Sequence, residues 1–167
     1  MIGDSEMIYL DYSATTPVLP EVLDSYNRVT TEYFGNPNSL HNLGLKSRNL
    51  LESARKQVGE LLNIDDSEFY FTSGATESNN IALIGTCLAN KNRGNHIIVS
   101  KLEHPSIYTI VDYLVSIGFK VSYVNNTDEG VIDFEDLKRK MNEDTILVSI
   151  CAVNSETGVR QPLKTIK

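Results

Sequence analysis

The stretch FYFTSGATESNNIAL, Phe69 to Leu83, decides how this chain is read. An apolar run ends in Thr72-Ser73-Gly74-Ala75-Thr76, and a helical pattern begins at once. The pattern predicts a strand over 68–72 and a helix over 77–92, joined by more small and hydroxyl residues than a turn requires. Gly74 lets the chain turn without a Cβ, and Ala75 and Thr76 open a helix whose first N–H groups lack intrahelical partners. Those donors, the positive helix end and the Thr76 hydroxyl make a ready anion site, with phosphate as its natural guest. A plain N-cap by Ser73 or Thr72, with Glu77 in the first turn, accounts for the same residues. Both readings stand at this point.

Working outward, a short apolar run at Ile8–Leu10 leads into the turn-rich DYSATTP and a helix over 21–33. The loop YFGNPNSLH follows, then a second helix carrying Leu43, Leu50, Leu51, Ala54, Val58, Leu61 and Leu62 at helical spacing and ending near Asn63. On the other side, strands are expected over 96–100, 119–124 and 145–153, with helices over 106–118 and 133–141. Strands alternating with helices at this spacing mean βαβ units, an α/β fold with a mostly parallel sheet and flanking helices. Another helix opens at Pro162, and the sequence stops within a turn or two. We therefore expect the N-terminal part of a longer domain.

The composition narrows the function classes. A formal charge of −7 with no Lys/Arg cluster argues against nucleic acid or an anionic membrane as the main partner. No apolar stretch has the length of a membrane span, and MIGDSEMIYLD has neither the basic nor the apolar region of a signal peptide. A cytoplasmic protein is expected. Cys87 and Cys151 match no metal or redox spacing and read as buried, inert thiols.

In open α/β sheets, ligands bind beyond the carboxyl ends of the strands. Three such ends are rich in polar residues: TSGATE, KLEHPS with His104, and NSETG with Asn154. His104 reads either as a half-exposed loop residue or as a flat ring that stacks on an aromatic ligand or moves a proton. Asn154 either closes an Asx turn or donates a directional hydrogen bond. A phosphate cradle, a stacking partner and an amide donor together suggest a planar phosphorylated cofactor.

The motifs YLDYSATTP, YFGNPNSLH, FTSGATESNN, LEHPS and VNSETGVRQP, in this order, resemble the N-terminal half of a cysteine desulfurase. These are pyridoxal-phosphate enzymes of the class V aminotransferase group with the aspartate-aminotransferase-like fold (fold type I). The resemblance runs from about Met7 onward, leaving residues 1–6 as a short leader and Met7 as an alternative start. It implies residues 1–20 as a segment of, or leading into, the small domain, and 21–167 as an incomplete, truncated large domain.

By the same resemblance, Ala75 and Thr76 bind the cofactor phosphate by backbone N–H and hydroxyl. His104 stacks on the pyridine ring and shuttles protons, and Asn154 meets the ring hydroxyl. Ala14, Thr15 and Asn36 line the substrate side. The sequence departs from the pattern at Tyr12 and Ser155, where asparagine is usual. The implied reaction takes L-cysteine to L-alanine and leaves persulfide sulfur on the enzyme, for an acceptor or iron–sulfur scaffold protein or for tRNA thiolation. A homodimer is implied for the complete protein.

The family's Schiff-base lysine, its aspartate at the pyridine nitrogen and its mobile cysteine all come later in family order. No lysine here follows a histidine. The 167-residue chain alone is therefore expected to be inactive and, with sheet edges uncovered, poorly stable and prone to self-association. Within the enzyme class the alternative is a selenocysteine lyase or another class V relative. Outside it, the alternative is a truncated, non-catalytic module that binds pyridoxal phosphate or pairs with an intact subunit.

Overall fold

Pro20 opens helix α1 (Pro20–Glu32), where its fixed φ is already helical and its missing N–H leaves nothing unpaired. Helix α2 (Asn42–Leu62) is capped by His41, whose Nδ1 accepts the Gly44 N–H at 3.2 Å, and it ends at Asn63 in the left-handed region. Gly44 sits where α2 passes the preceding loop, and a Cβ there would run into the carbonyl oxygens of Ser39 and Asn36. The computed structural model describes residues 8–166, so the leader expected at 1–6, together with Met7, lies outside the described residues. It forms two compact units, one up to Phe71 and the other from Thr72.

The second unit holds α3 (Ala75–Asn90), β1 (His96–Ser100), α4 (Pro105–Ser116), β2 (Lys120–Val124), α5 (Phe134–Lys140), β3 (Thr145–Ser149) and α6 (Leu163–Ile166). Its three strands are parallel in the order β2-β1-β3, with His96 opposite Lys120 on one side and Thr145 on the other. All five residues of β1 are buried, as an apolar run flanked on both faces demands. Strand alternation sends Ile97 and Val99 to one face, where they join Leu83 and Cys87 of α3 and Ile107, Ile110, Val111 and Leu114 of α4. Ile98 points to the other face, with Val124, Ile132 and Leu137. Each such side chain, fully buried, contributes about 2 kcal/mol of transfer free energy.

At the amino edge the sheet is closed by polar groups. Buried His96 places Nδ1 2.7 Å from Thr145 Oγ1 and Nε2 2.9 Å from Ser122 Oγ, so one ring joins all three strands. Asn142 Nδ2 reaches the same Nδ1 at 3.2 Å. Burial holds the His96 pKa below its ordinary value, with Asp144 opposing and Lys120 reinforcing the shift.

Two expectations need correction. Residues 68–72 do not form a strand: no strand pairs with them among the described residues, and Tyr70 and Phe71 are largely exposed. Arg55 takes the place of a partner strand, donating to the Phe69 carbonyl at 2.8 Å and lying over the Phe69 ring. Similarly, β3 ends at Ser149 and does not run to 153, because the chain bends away. The Cys151 N–H donates to the Glu103 carboxylate and Val153 pairs with Arg160 in an antiparallel bridge. That bend also leaves Cys151 half-buried, whereas Cys87 is fully buried and its thiol pKa raised by desolvation. Among the described residues no helix is long and apolar enough to cross a membrane.

Candidate active site at the carboxyl edge of the sheet

Neighbouring strands β1 and β3 send their connections to opposite faces. After β1 the chain enters α4 on the α3 side, and after β3 it reaches α6, whose Ile166 packs with the α5 side. The two exits diverge, and the resulting crevice is the place where open α/β sheets bind ligands. Two hydrogen bonds span it. Glu103 Oε1 accepts the Cys151 N–H at 2.6 Å, and Asn154 Nδ2 donates to the Leu102 carbonyl at 3.2 Å. Burial pushes the Glu103 carboxyl above its ordinary pKa, partly offset by the Cys151 N–H and the Ser100 hydroxyl.

The start of α3 lies at the same edge, since Asn79 Nδ2 donates to Ser106 Oγ in the first turn of α4 at 3.1 Å. Gly74 is the N-cap residue, with φ 166°. That is extended backbone open to any residue, and a Cβ built on Gly74 meets nothing within 4 Å. Neither conformation nor packing inside the protein calls for glycine here, and its bare backbone faces open space. The first intrahelical bond is Ser78 N–H to the Gly74 carbonyl at 3.1 Å. The N–H groups of Ala75 and Thr76 and the Thr76 hydroxyl have no partner among the described residues. Glu77 turns its carboxylate back to the Ser73 N–H at 2.6 Å and hydroxyl at 2.7 Å, bonds that lower its pKa. The cap expected from Ser73 or Thr72 is therefore not formed, since Gly74 is the N-cap and no side chain caps it; Glu77, in the first turn as expected, instead ties back to Ser73 and leaves the helix mouth open.

His104 is the N-cap of α4, and its exposed ring accepts the Ser106 N–H on Nδ1 at 3.1 Å. Pro105 follows at N1 and fixes the entry of the chain into the helix. Asn154 does both things its type allows. Its Oδ1 accepts from the Glu156 and Thr157 N–H groups at 3.1 and 2.9 Å, closing an Asx turn, while Nδ2 reaches across to Leu102 and keeps one N–H to spare. At the β2 corner the edge is shut. Asp136 binds Lys140 Nζ, the Asn125 N–H and Arg139, which holds its pKa at about 2.

Ala75, Thr76, His104 and Asn154 thus share one edge. Ala14, Thr15 and Asn36 belong to the first unit. There the Ala14 and Thr15 N–H groups donate to the Asp11 carbonyl, and Asn36 Oδ1 accepts the Asn38 N–H at 2.9 Å. Sequence reasoning passed over Glu103, Ser106 and Asn79. The signal for Glu103 was its place beside His104 in LEHPS, and for Ser106 its place two residues into a capped helix. A concavity of about 670 Å³ occurs elsewhere, lined by Lys56, Glu60, Asp65 and Glu68 among others, but carboxylates dominate its wall.

The chain matches the aminotransferase class-V family over residues 8–167. It is 48% identical over 160 residues to the NifS/IcsS protein homolog of Lactobacillus delbrueckii subsp. bulgaricus, covering 96% of this chain and 42% of that protein. To the cysteine desulfurase IscS 1 of Archaeoglobus fulgidus it is 44% identical over 160 residues, with the same two coverages. A solved NifS-like protein superposes with a TM-score of 0.91 at 39% identity, over 95% of this chain and 44% of that one. The chain therefore spans about 42% of the length of these curated relatives. With the match running through all but the first seven residues, this protein belongs to the aminotransferase class-V family.

Proposed function

We propose that the chain is the cofactor-binding N-terminal part of a cysteine desulfurase, which converts L-cysteine to L-alanine and retains the sulfur as an enzyme-bound persulfide. One observation carries the reading: the unpaired donors opening α3 lie beside His104, across the Asn79–Ser106 bond, at the crevice between β1 and β3. The names of the relatives support the substrate.

The residues present fit pyridoxal phosphate. Open backbone at Gly74 and free N–H groups at Ala75 and Thr76 suit a phosphate, and the Thr76 hydroxyl adds a further donor. The exposed His104 imidazole offers a flat face for a pyridine ring, and the spare Asn154 N–H suits the ring hydroxyl. When bound, the cofactor supplies an electron sink that eases proton loss from the substrate Cα. The protein's part is to bind the phosphate at α3, hold the ring flat and offer a protonated nitrogen at His104. Ala14, Thr15 and Asn36 are proposed on the substrate side.

The same proposal makes the protein cytoplasmic and, when complete, a homodimer that passes sulfur to an acceptor or iron–sulfur scaffold protein. Residues 1–20 would belong to or lead into a small domain, and 21–167 to an incomplete large domain. Titration with pyridoxal phosphate, read by circular dichroism induced in the cofactor band, tests the site. Binding should saturate, and Thr76→Ala should weaken it about fivefold, the worth of one hydrogen bond. No saturable binding, or unchanged affinity in Thr76→Ala, would sink the assignment. The activity is tested by reading the coding frame beyond Lys167 and assaying its whole product for L-alanine formed from L-cysteine.

A further inference from the structure

The opening turns of α3 and α4 are joined by a run of polar atoms whose direction can be worked out. His104 Nδ1 lies 3.1 Å from the Ser106 N–H and 2.9 Å from Ser106 Oγ. Ser106 Oγ in turn lies 3.1 Å from Asn79 Nδ2. A backbone N–H can only donate, so Nδ1 must be the acceptor, and a neutral ring carries its proton on Nε2. With Nδ1 accepting, the Ser106 hydroxyl can only give it a hydrogen. The oxygen then has lone pairs free for a donor, which Asn79 supplies through its NH2. Each step fixes the next: Asn79 amide to Ser106 hydroxyl to His104 Nδ1.

We propose that Asn79 and Ser106 are positioning residues that hold His104 in the Nε2–H tautomer, so that the neutral ring presents a hydrogen-bond donor at Nε2. Nε2 has no partner among the described residues and is the nitrogen left for a ligand. An N-cap bond alone would fix the ring, as at His41, where Nδ1 accepts only the Gly44 N–H. The hydroxyl and the amide from a second helix add nothing to capping α4 that the Ser106 N–H does not already give. Their effect is to add a second donor onto Nδ1 and so deepen the preference for Nε2–H that the Ser106 N–H already sets.

This inference rests on the proposed function for the role of His104, but the tautomer itself is measured without cofactor. Long-range ¹H–¹⁵N correlation spectra of the full chain, with the histidines labelled and His104 identified by its substitution, read it directly. Two donors onto Nδ1 give an expected preference for Nε2–H of about tenfold or more. Asn79→Asp supplies an acceptor in place of a donor, turns the Ser106 hydroxyl away from Nδ1, and should cut the preference about fivefold. Ser106→Ala should act likewise, and Ser106→Thr should restore the wild-type spectrum. A wild-type ring protonated on Nδ1, or folded Asn79→Asp and Ser106→Ala variants with unaltered tautomer ratios, would overturn the proposal. The wild-type spectrum decides even where a variant does not fold. If the tautomer is as expected and pyridoxal phosphate does not bind, the failure belongs to the proposed function alone.

Discussion

At the amino edge of the sheet, His96 has both ring nitrogens engaged by hydroxyls of the flanking strands and a third group, Asn142, beside them. At the carboxyl edge, His104 has one nitrogen engaged, and the other, like the neighbouring helix N–H groups, has no partner among the described residues. Both rings belong to the same short βα unit, yet one is 6% exposed and the other lies open. The difference teaches how a histidine held within the fold is told from one proposed to meet a ligand. The first completes its hydrogen bonds inside the protein, and the second leaves capacity over. Within the carboxyl edge the same rule separates the β2 corner, filled by Asp136 and its cations, from the crevice between β1 and β3.

The contrast can be broken most forcefully at His96. His96→Ala leaves Thr145, Ser122 and Asn142 without their common partner and should cost about 3 kcal/mol of stability. The reading is a lower urea midpoint at an unchanged slope. Because burial depresses the His96 pKa, its contribution is complete above the ordinary imidazole value of 6.5 and is lost as pH falls through the folded value. The margin of wild type over His96→Gln should therefore narrow on acidification. A margin that is flat with pH would contradict a buried neutral ring.

Glu103 comes next in size. Glu103→Ala strips the acceptor from the Cys151 N–H and should cost about 2 kcal/mol, whereas Glu103→Gln keeps a carbonyl oxygen there and should cost less than half of that. The Glu103 pKa is raised in the folded protein, so its stabilising form is the protonated one, present below the ordinary carboxyl value of 4.5. The wild type should lose ground to Glu103→Gln as pH rises through the raised value. An equal cost of both substitutions at every pH would mean that charge, and not the bridge across the crevice, is what matters.

His104→Ala should show the smallest change in stability, about 1 kcal/mol for a lost cap, together with weaker binding of pyridoxal phosphate. His96→Ala, where it remains folded, should leave that affinity unchanged. The crossed pattern, stability at one edge and affinity at the other, is the sharpest form of the comparison.

The βαβ alternation was legible in the sequence because most elements announce themselves locally: β1 carries the β-branched run Ile97-Ile98-Val99, and Pro105 and Gly118 bracket α4. The placing of His104 and Asn154 after β1 and β3 followed from that alternation, whereas Ala75 and Thr76 open α3 with no strand before them among the described residues. What was not legible depends on partners distant in sequence. FYF has the composition of a strand, but pairing is decided by a neighbour that it lacks among the described residues. Glu103 finds its role 48 residues away at Cys151, and Ser106 finds its role 27 residues back at Asn79. No window of local pattern contains both ends of such a bond. Asn154 was read as either a turn former or a donor to a ligand; its oxygen closes the turn, and its nitrogen donates within the protein, to Leu102.

The strand order β2-β1-β3 also sets an order in time. His96 must find Ser122, 26 residues on, to join β2, but Thr145, 49 residues on, to join β3. Doubling the loop adds only about 0.6 kcal/mol of closure entropy, yet the longer closure also needs α5 folded across the opposite face before it is rewarded. The β1–α4–β2 unit can therefore nucleate first, with β3 docking onto it afterwards. The crevice spanned by Glu103 and Asn154 comes into being only at that last step, so the cofactor binding proposed there would, during refolding, report the docking of β3.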